Sequence, residues 1–160
     1  MPQGYVRPAN QIRADEEGLI THEYEVGANA TAAKMLPGIG VIYDTVDYAV
    51  KEAGAEGKTF LGILDSAVDG LITTAYARGD ACHVIEHGKC NVLLASGGAA
   101  VVPGDGLVTN ADGKFIKNAV GALGEQGPFA CYALESRNPA ASDHHCLAMV
   151  TGAREPMAAA

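Results

Sequence analysis

Three observations predict an all-β fold, a small β-barrel or β-sandwich, for this chain of 160 residues. Short apolar runs alternate with Gly, Asp and Pro turns at intervals of roughly eight to twelve residues, which is typical of small barrels. The chain contains 20 Gly and 7 Pro, so we expect many turns and few long helices. With no Trp and only 3 Phe, the core must be built from Ala, Val, Ile and Leu.

The predicted strands follow one another in close order. Phe60–Leu64 is apolar throughout, which is typical of a strand buried on both faces. His87-Gly88 predicts a hairpin loop, and Asp112-Gly113 predicts a second one. Thr45–Lys51 fits either a strand or one helical turn. The other predicted strands are Leu19–Val26, Ala33–Leu36, Gly40–Tyr43, Ile72–Tyr76, Ala81–Glu86, Lys89–Leu94, Ala100–Val102, Leu107–Thr109, Lys114–Lys117, Phe129–Glu135 and His145–Thr151.

The chain divides into a central body and two terminal segments. Residues 1–18 lack hydrophobic periodicity and predict an extended N-terminal arm. Residues 19–152 contain all the predicted strands and form the β-barrel domain. Residues 153–160 predict a loose C-terminal tail. One domain is expected, because a chain of this length can bury a single substantial core.

The charge and hydropathy of the chain disfavour two classes of partner. The formal net charge is −8, with no basic cluster to neutralise phosphates, so nucleic-acid binding is not expected. No stretch approaches the roughly 20 apolar residues that cross a bilayer, so we expect no membrane partner. The polar N-terminal stretch has no apolar segment of the kind a signal peptide requires. These features favour synthesis in the cytoplasm.

The 4 Cys residues are too few and too scattered for a disulfide scaffold, which favours reduced, buried thiols. Whether Cys131 and Cys146 lie close enough to form a disulfide is left open.

A small metal-dependent or Cys/His hydrolase is the first alternative. Cys82, His83, His87 and Cys90 include the ligand types that zinc prefers. No CxxC pair is present, and a strand register would point these side chains to different faces, so we predict no metal site. Ser142-Asp143-His144 has the residue types of a catalytic triad, but triad members come from separate elements. We therefore predict no catalytic residues and no cofactor.

A cellular β-barrel carrier or binding module is the second alternative. Such a module needs an acceptor lysine at the tip of an exposed hairpin. The nearest sequences are Ala33-Lys34-Met35, which has the inverted order, and Asp112-Gly113-Lys114. A short match of this kind lacks the structural context that would establish it.

The order of turn signals over about residues 28–151 resembles that of small capsid decoration proteins, also called cement or head-stabilising proteins. These occur in tailed bacteriophages and related archaeal viruses. The resemblance rests on the sequences Asn29–Gly38, Phe60–Leu64, Tyr76–Asp80 leading into Val84-Ile85, Val102–Val108 and Ala111–Lys114.

This resemblance implies a β-tulip-like barrel with a structural, non-enzymatic role. It implies a virion location on the outer capsid surface, binding to the major capsid protein and self-association as a homotrimer. Head stabilisation is the implied function, and host and virus stay open.

The N-terminal arm supplies our candidate capsid contacts. Tyr5, Val6, Arg7, Ile12 and Arg13 combine aromatic, apolar and Arg side chains, which are the types that anchor protein interfaces. The alternative is that the arm is simply a disordered terminus.

Overall fold

The computed structural model describes residues 12–14, 18–54, 60–66, 72–118 and 131–151. Within these ranges the chain is almost entirely β-structure, as predicted. The single helical element of the described residues is a short 3-10 turn, Ala32–Lys34. The nine strands found in the same ranges are β1 (Ile20–Val26), β2 (Gly40–Tyr43), β3 (Ala49–Glu52), β4 (Phe60–Leu64), β5 (Ala81–Leu94), β6 (Gly106–Thr109), β7 (Phe115–Lys117), β8 (Cys131–Ala133) and β9 (His144–Val150).

The strands close into two five-stranded rings that share β5. The first ring runs β1-β3-β2-β4-β5 and closes by pairing β5 with β1. The second runs β5-β7-β6-β8-β9 and closes by pairing β9 with β5. The first half of β5, Ala81 to His87, pairs with β1, and the second half, Gly88 to Leu94, pairs with β9. Closure removes the open sheet edges that would otherwise invite aggregation.

The length of β5 corrects one prediction. His87-Gly88 is not a hairpin loop, and the two predicted strands on either side of it form one strand of 14 residues. Gly88 has φ of 121°, a conformation that favours glycine. A Cβ at this position would lie 2.8 Å from Cδ1 of Leu19. Gly88 therefore lets Leu19 approach closely at the point where β5 passes from one ring to the other.

The strand bounds and strand pairing confirm some of the other predictions and correct others. β2 and β4 have the predicted bounds, and β6 and β7 form a hairpin around Asp112-Gly113. The predicted strand Ala33–Leu36 is wrong, since its first two residues lie in the 3-10 turn. Residues 72–76 are not a strand. Thr45–Lys51 proves to be a hairpin loop leading into β3.

Strand β4 forms a wall between two hydrophobic cores, one on each of its faces. All five residues of β4 are buried, as predicted from its sequence. Leu61 and Leu64 belong to the core of the first ring. Phe60 and Ile63 belong to the larger core, which also contains the buried residues of β7 and β9 in the second ring. The rings of Phe60 and Phe115 meet edge to face, with centroids 6.2 Å apart and planes at 84°. Their contact joins the two halves of the body.

Among the described residues, no helix is long and apolar enough to cross a membrane.

Candidate docking surface

The structure places two of the five predicted contact residues in the body. Ile12 is 1% exposed and lies in the larger core. Arg13 forms an ion pair with Asp65, with Nε and Oδ2 2.5 Å apart. Their backbone is bound to β5, where the Asn91 N–H donates to the Ile12 carbonyl at 2.7 Å. In this arrangement Ile12 contacts only its own chain.

Tyr5, Val6 and Arg7 lie outside the described residues. The predicted arm included residues 12–14, which pack on the body as a short continuation of the sheet beside Cys90. Residues 12–14 are therefore part of the body.

The most apolar exposed surface lies elsewhere, on the hairpin between β2 and β3. Five large hydrophobic side chains are exposed among the described residues, and three of them belong to this hairpin. Tyr43 is 49% exposed, Val46 66% and Tyr48 75%. We call residues 43–48, with the facing Tyr24, the tyrosine hairpin. An exposed apolar cluster of this kind is typical of a contact surface.

Hydrogen bonds to Asp44 hold the tyrosine hairpin against the body. The carboxylate of Asp44 accepts from the backbone N–H and the side-chain amide of Asn29, at 3.0 and 2.8 Å. It also accepts from the Thr45 N–H at 2.7 Å. Burial alone would raise the pKa of Asp44, but these hydrogen bonds outweigh it and lower the pKa below its ordinary value.

Gly27 makes this arrangement possible. A Cβ at position 27 would lie 2.8 Å from the Cβ and Cγ atoms of Asp44 and closer still to its Oδ2. Such separations are well inside van der Waals contact. The absence of a side chain at Gly27 therefore lets the Asp44 carboxylate reach the neighbouring backbone.

Tyr48 has an unusual backbone conformation. Its φ is 60°, and it is the one non-glycine residue with positive φ in the described part of the chain. The left-handed conformation costs an L-residue about 1–2 kcal/mol. The Tyr48 carbonyl accepts a hydrogen bond from the Glu25 N–H at 2.8 Å, which ties this conformation to β1. The loop thus presents an aromatic ring at a position that glycine or asparagine would occupy at less cost.

Two shallow grooves flank the Tyr48 ring. One, of about 470 Å³, is lined by Tyr24 and residues 43–48. The other, of about 280 Å³, is lined by Glu23, Tyr24, Glu25, Tyr48, Gly79 and Ala81. Glu23, Glu25, Asp44 and Asp47 are among the lining residues, and no Lys or Arg of the described residues is. The surface is therefore aromatic at its centre and acidic around it.

Tyr24 forms the floor between the two grooves. It is 9% exposed, and its ring meets that of Tyr43 edge to face at 6.1 Å. Burial, together with Tyr43 and the nearby Glu86 carboxylate, raises the pKa of Tyr24 well above its ordinary value. The hydroxyl therefore stays protonated and donates to Glu86 at 3.5 Å.

The residues considered for a metal site are spread along β5. Of those considered for hydrolase chemistry, Ser142 and His144 share a hydrogen bond of 3.3 Å, and Asp143 pairs with Lys114. Within the described ranges, no three His, Cys, Asp or Glu side chains converge to hold a metal ion. The 4 Cys side chains are buried and none of them is in a disulfide, so Cys131 and Cys146 do not form one. Burial raises the pKa of Cys82 to about 12 and that of Cys90 still further. At neutral pH these two thiols are protonated, which is typical of structural rather than reactive cysteines.

Sequence reasoning missed the tyrosine hairpin because it left Thr45–Lys51 undecided between strand and helix. The available signal was the apolar set Tyr43, Val46 and Tyr48 interleaved with Asp44 and Asp47. Turn segments are ordinarily polar, so apolar residues among turn-forming aspartates point to an exposed contact.

Comparison with known proteins identifies the family. The sequence profile of the XM1 gp53 minor capsid protein family matches residues 4–141. No curated protein sequence matches the chain. Among solved structures, the chain is similar to the N base of head fiber gp8.5 in bacteriophage phi29. The two are 15% identical with a TM-score of 0.46, over 85% of this chain and 97% of that one. On the profile match, this chain belongs to the XM1 gp53 minor capsid protein family and is a structural component of a phage virion.

Proposed function

We propose that this protein is a capsid decoration protein, which binds the major capsid protein on the outer surface of the head and stabilises the shell without catalysis. The observation that carries the proposal is the match of residues 4–141 to a minor capsid protein family. A decoration role is one of several that a minor capsid protein can have, and features of the body favour it.

The first feature is the construction of the body. Two closed rings share one 14-residue strand, and each ring has its own packed core. Packed protein cores have low compressibility and transmit strain. Such a body suits a clamp that must resist movement between capsid subunits.

The second feature is the attachment of the N-terminal segment. Ile12 is buried, and the Arg13–Asp65 ion pair lies beside it. A capsid contact made by Tyr5, Val6 and Arg7 would therefore be linked to the sheet through Ile12 and Arg13, which are held in place. We propose that these three residues bind the capsid and that Ile12 and Arg13 anchor them to the body.

The oligomeric state belongs to the same proposal. A homotrimer would match the local three-fold positions of an icosahedral shell, where one protein can bridge three neighbouring capsomers. Sedimentation equilibrium of the purified chain tests this directly. A mass of three chains supports the trimer, and a mass of one chain in solution and on the capsid contradicts it.

The test of the function uses empty capsids from a phage that lacks this gene. Purified protein is added to procapsids and to expanded capsids, and bound copies are counted after sedimentation. We expect saturation at a fixed number of copies and a higher temperature of capsid disruption. A triple variant with Ala at Tyr5, Val6 and Arg7 should bind more weakly, with Val102→Ala as the surface control. Absence of wild-type binding to either capsid would reject the proposal.

A further inference from the structure

We propose that the tyrosine hairpin is a second docking surface, and that it binds a polypeptide segment carrying Arg or Lys beside an apolar residue. That this segment belongs to a capsid protein rests on the proposed function. The chemistry of the segment is argued from the surface itself.

Charge complementarity selects the partner. The grooves on either side of Tyr48 are lined by four acidic residues, Glu23, Glu25, Asp44 and Asp47. No Lys or Arg of the described residues lines them, although Lys51 stands close enough to Asp44 to help lower its pKa. Asp44 is already stabilised by its hydrogen bonds to Asn29 and Thr45. A neutral ligand such as a sugar would leave the charges of Glu23, Glu25 and Asp47 uncompensated, and an anionic ligand would be repelled. A cationic side chain satisfies them.

The aromatic centre selects arginine in particular. Tyr43 and Tyr48 present exposed ring surface next to these carboxylates. A guanidinium group stacks on an aromatic face and simultaneously binds carboxylates with its planar set of donors. Val46, at 66% exposure, adds an aliphatic contact for an apolar neighbour on the same segment.

Hydrogen bonds within the protein hold the tyrosine hairpin in its shape before a partner binds. Asp44 accepts three hydrogen bonds from Asn29 and Thr45, and the Tyr48 carbonyl is bound to the Glu25 N–H. Holding Tyr48 in place before the partner arrives reduces the ordering cost of association. Rigid, exposed tyrosines are the kind of residue that carries most of the free energy at protein interfaces.

The first experiment is an NMR titration of the full chain with two blocked pentapeptides. One has the sequence Ser-Arg-Leu-Arg-Ser, and its matched twin has Glu in place of both Arg residues. We expect the Arg peptide to shift the amide signals of Val46 and Tyr48 saturably, with a dissociation constant on the order of 1 mM. The Glu peptide should cause no saturable shift. Raising the salt from about 0.05 to 0.3 M should weaken the Arg peptide several-fold.

Tyr48→Asn is the matched test variant, because Asn tolerates positive φ and removes only the ring. It should weaken the Arg peptide about tenfold, and Asp47→Asn should weaken it less. Val102→Asn changes an exposed apolar residue of the second ring and should have no effect. Equal shifts with both peptides, no saturable shift, or undiminished binding to Tyr48→Asn would overturn the inference. So would a neutral oligosaccharide that shifts the same signals, or self-association of the free protein through them.

The second experiment separates this inference from the proposed function. Capsids lacking the gene product are titrated with the wild type, Tyr48→Asn and Val102→Asn. Tenfold weaker binding of Tyr48→Asn alone supports the inference. Equal binding of all three overturns the inference and leaves the proposed function standing. If the wild type does not bind capsids, the proposed function fails, and the peptide titration still decides what the tyrosine hairpin recognises.

Discussion

The two rings each contain a hairpin that needs a residue with positive φ, and they meet this need differently. In the second ring, the β6–β7 hairpin uses Gly113 at φ 75°, and the side chain of Asn110 accepts hydrogen bonds from two backbone N–H groups in its loop. In the first ring, the β2–β3 hairpin uses Tyr48 at φ 60°. Folding alone is served better by glycine, so the tyrosine indicates a requirement at the surface.

The two hairpins also differ in how their acidic residues are paired. In the second ring Lys114 pairs with Asp143 at 2.8 Å, and Lys117 pairs with Asp105 at 3.1 Å. Asp112 in the β6–β7 hairpin is also paired, with Lys34 at 2.9 Å. In the first ring, Asp47 beside Tyr48 lines a groove that has no Lys or Arg of the described residues in its wall. The tyrosine hairpin instead has acidic residues beside an exposed aromatic ring.

The largest expected effect comes from separating the two rings. Phe115→Ala removes a fully buried ring of the second ring of strands that packs edge to face on Phe60 of the first, inside the larger core. We expect a loss of about 3–5 kcal/mol in the free energy of unfolding, since truncation of a buried Phe leaves a cavity. Urea denaturation measures the loss. In a double-mutant cycle of Phe60→Leu with Phe115→Leu, a coupling of about 0.5–1.5 kcal/mol is expected. Zero coupling would show that the two aromatic rings do not stabilise one another.

The next effect is confined to the first ring. Gly27→Ala forces the Asp44 carboxylate away from Asn29 and Thr45, because a Cβ would overlap it. We expect a loss of about 1–3 kcal/mol, the usual cost of unsatisfied polar groups. The double variant Gly27→Ala, Asp44→Gly removes every side-chain atom of residue 44 that would overlap the new Cβ, so the effects of the two substitutions should be less than additive. Additive losses would mean that Gly27 acts through another contact.

Acid should weaken both rings through carboxylates whose pKa is lowered in the folded state. In the second ring, a hydrogen bond from the Val102 N–H and the Lys117 ammonium lower the pKa of Asp105. Burial opposes the lowering at Asp143, where Lys114 and the Ser96 N–H outweigh it. In the first ring, the pKa of Asp44 is lowered in the same way.

A lowered folded-state pKa means that the unfolded chain binds protons first as the pH falls. The stabilisation is complete above the unfolded pKa of about 3.9 and is lost as the pH falls through the lower folded value. The denaturant concentration at the midpoint of unfolding, measured at pH values from 7 to 2, should therefore begin to fall at about pH 4. Asp143→Asn should make this drop shallower, and an unchanged slope would contradict the assignment.

The sequence predicted the parts of the fold that local signals determine. β4 is apolar at every position because it is a wall between two cores, and Asp112-Gly113 forms a turn whose positive φ only glycine adopts easily. His87-Gly88 has the same local signal but lies inside a strand, because Gly88 is needed for the approach of Leu19. A glycine that serves a close contact between strands cannot be distinguished from a turn glycine within its own segment.

The candidate site was less predictable. Ile12 and Arg13 have the residue types of an interface, and only their pairing beside Cys90 shows that they are directed into the body. Tyr48 has no local sequence signature for positive φ, because tyrosine is not a turn residue. Its conformation is imposed by the hydrogen bond to Glu25 on β1, which is distant in sequence.

The smallest expected effect bears most directly on the difference between the hairpins. Tyr48→Gly gives the first ring the residue type that the second ring has at Gly113. It relieves about 1–2 kcal/mol of backbone strain but adds up to about 1 kcal/mol of chain entropy to the unfolded state. We therefore expect a net stabilisation of about 0.5 kcal/mol, measured by chemical denaturation. Tyr48→Ala keeps the strain and serves as the control, since it should show no gain. If Tyr48→Gly proved destabilising, the aromatic ring would be part of the fold of the hairpin, and the argument that it is kept for a partner would fail.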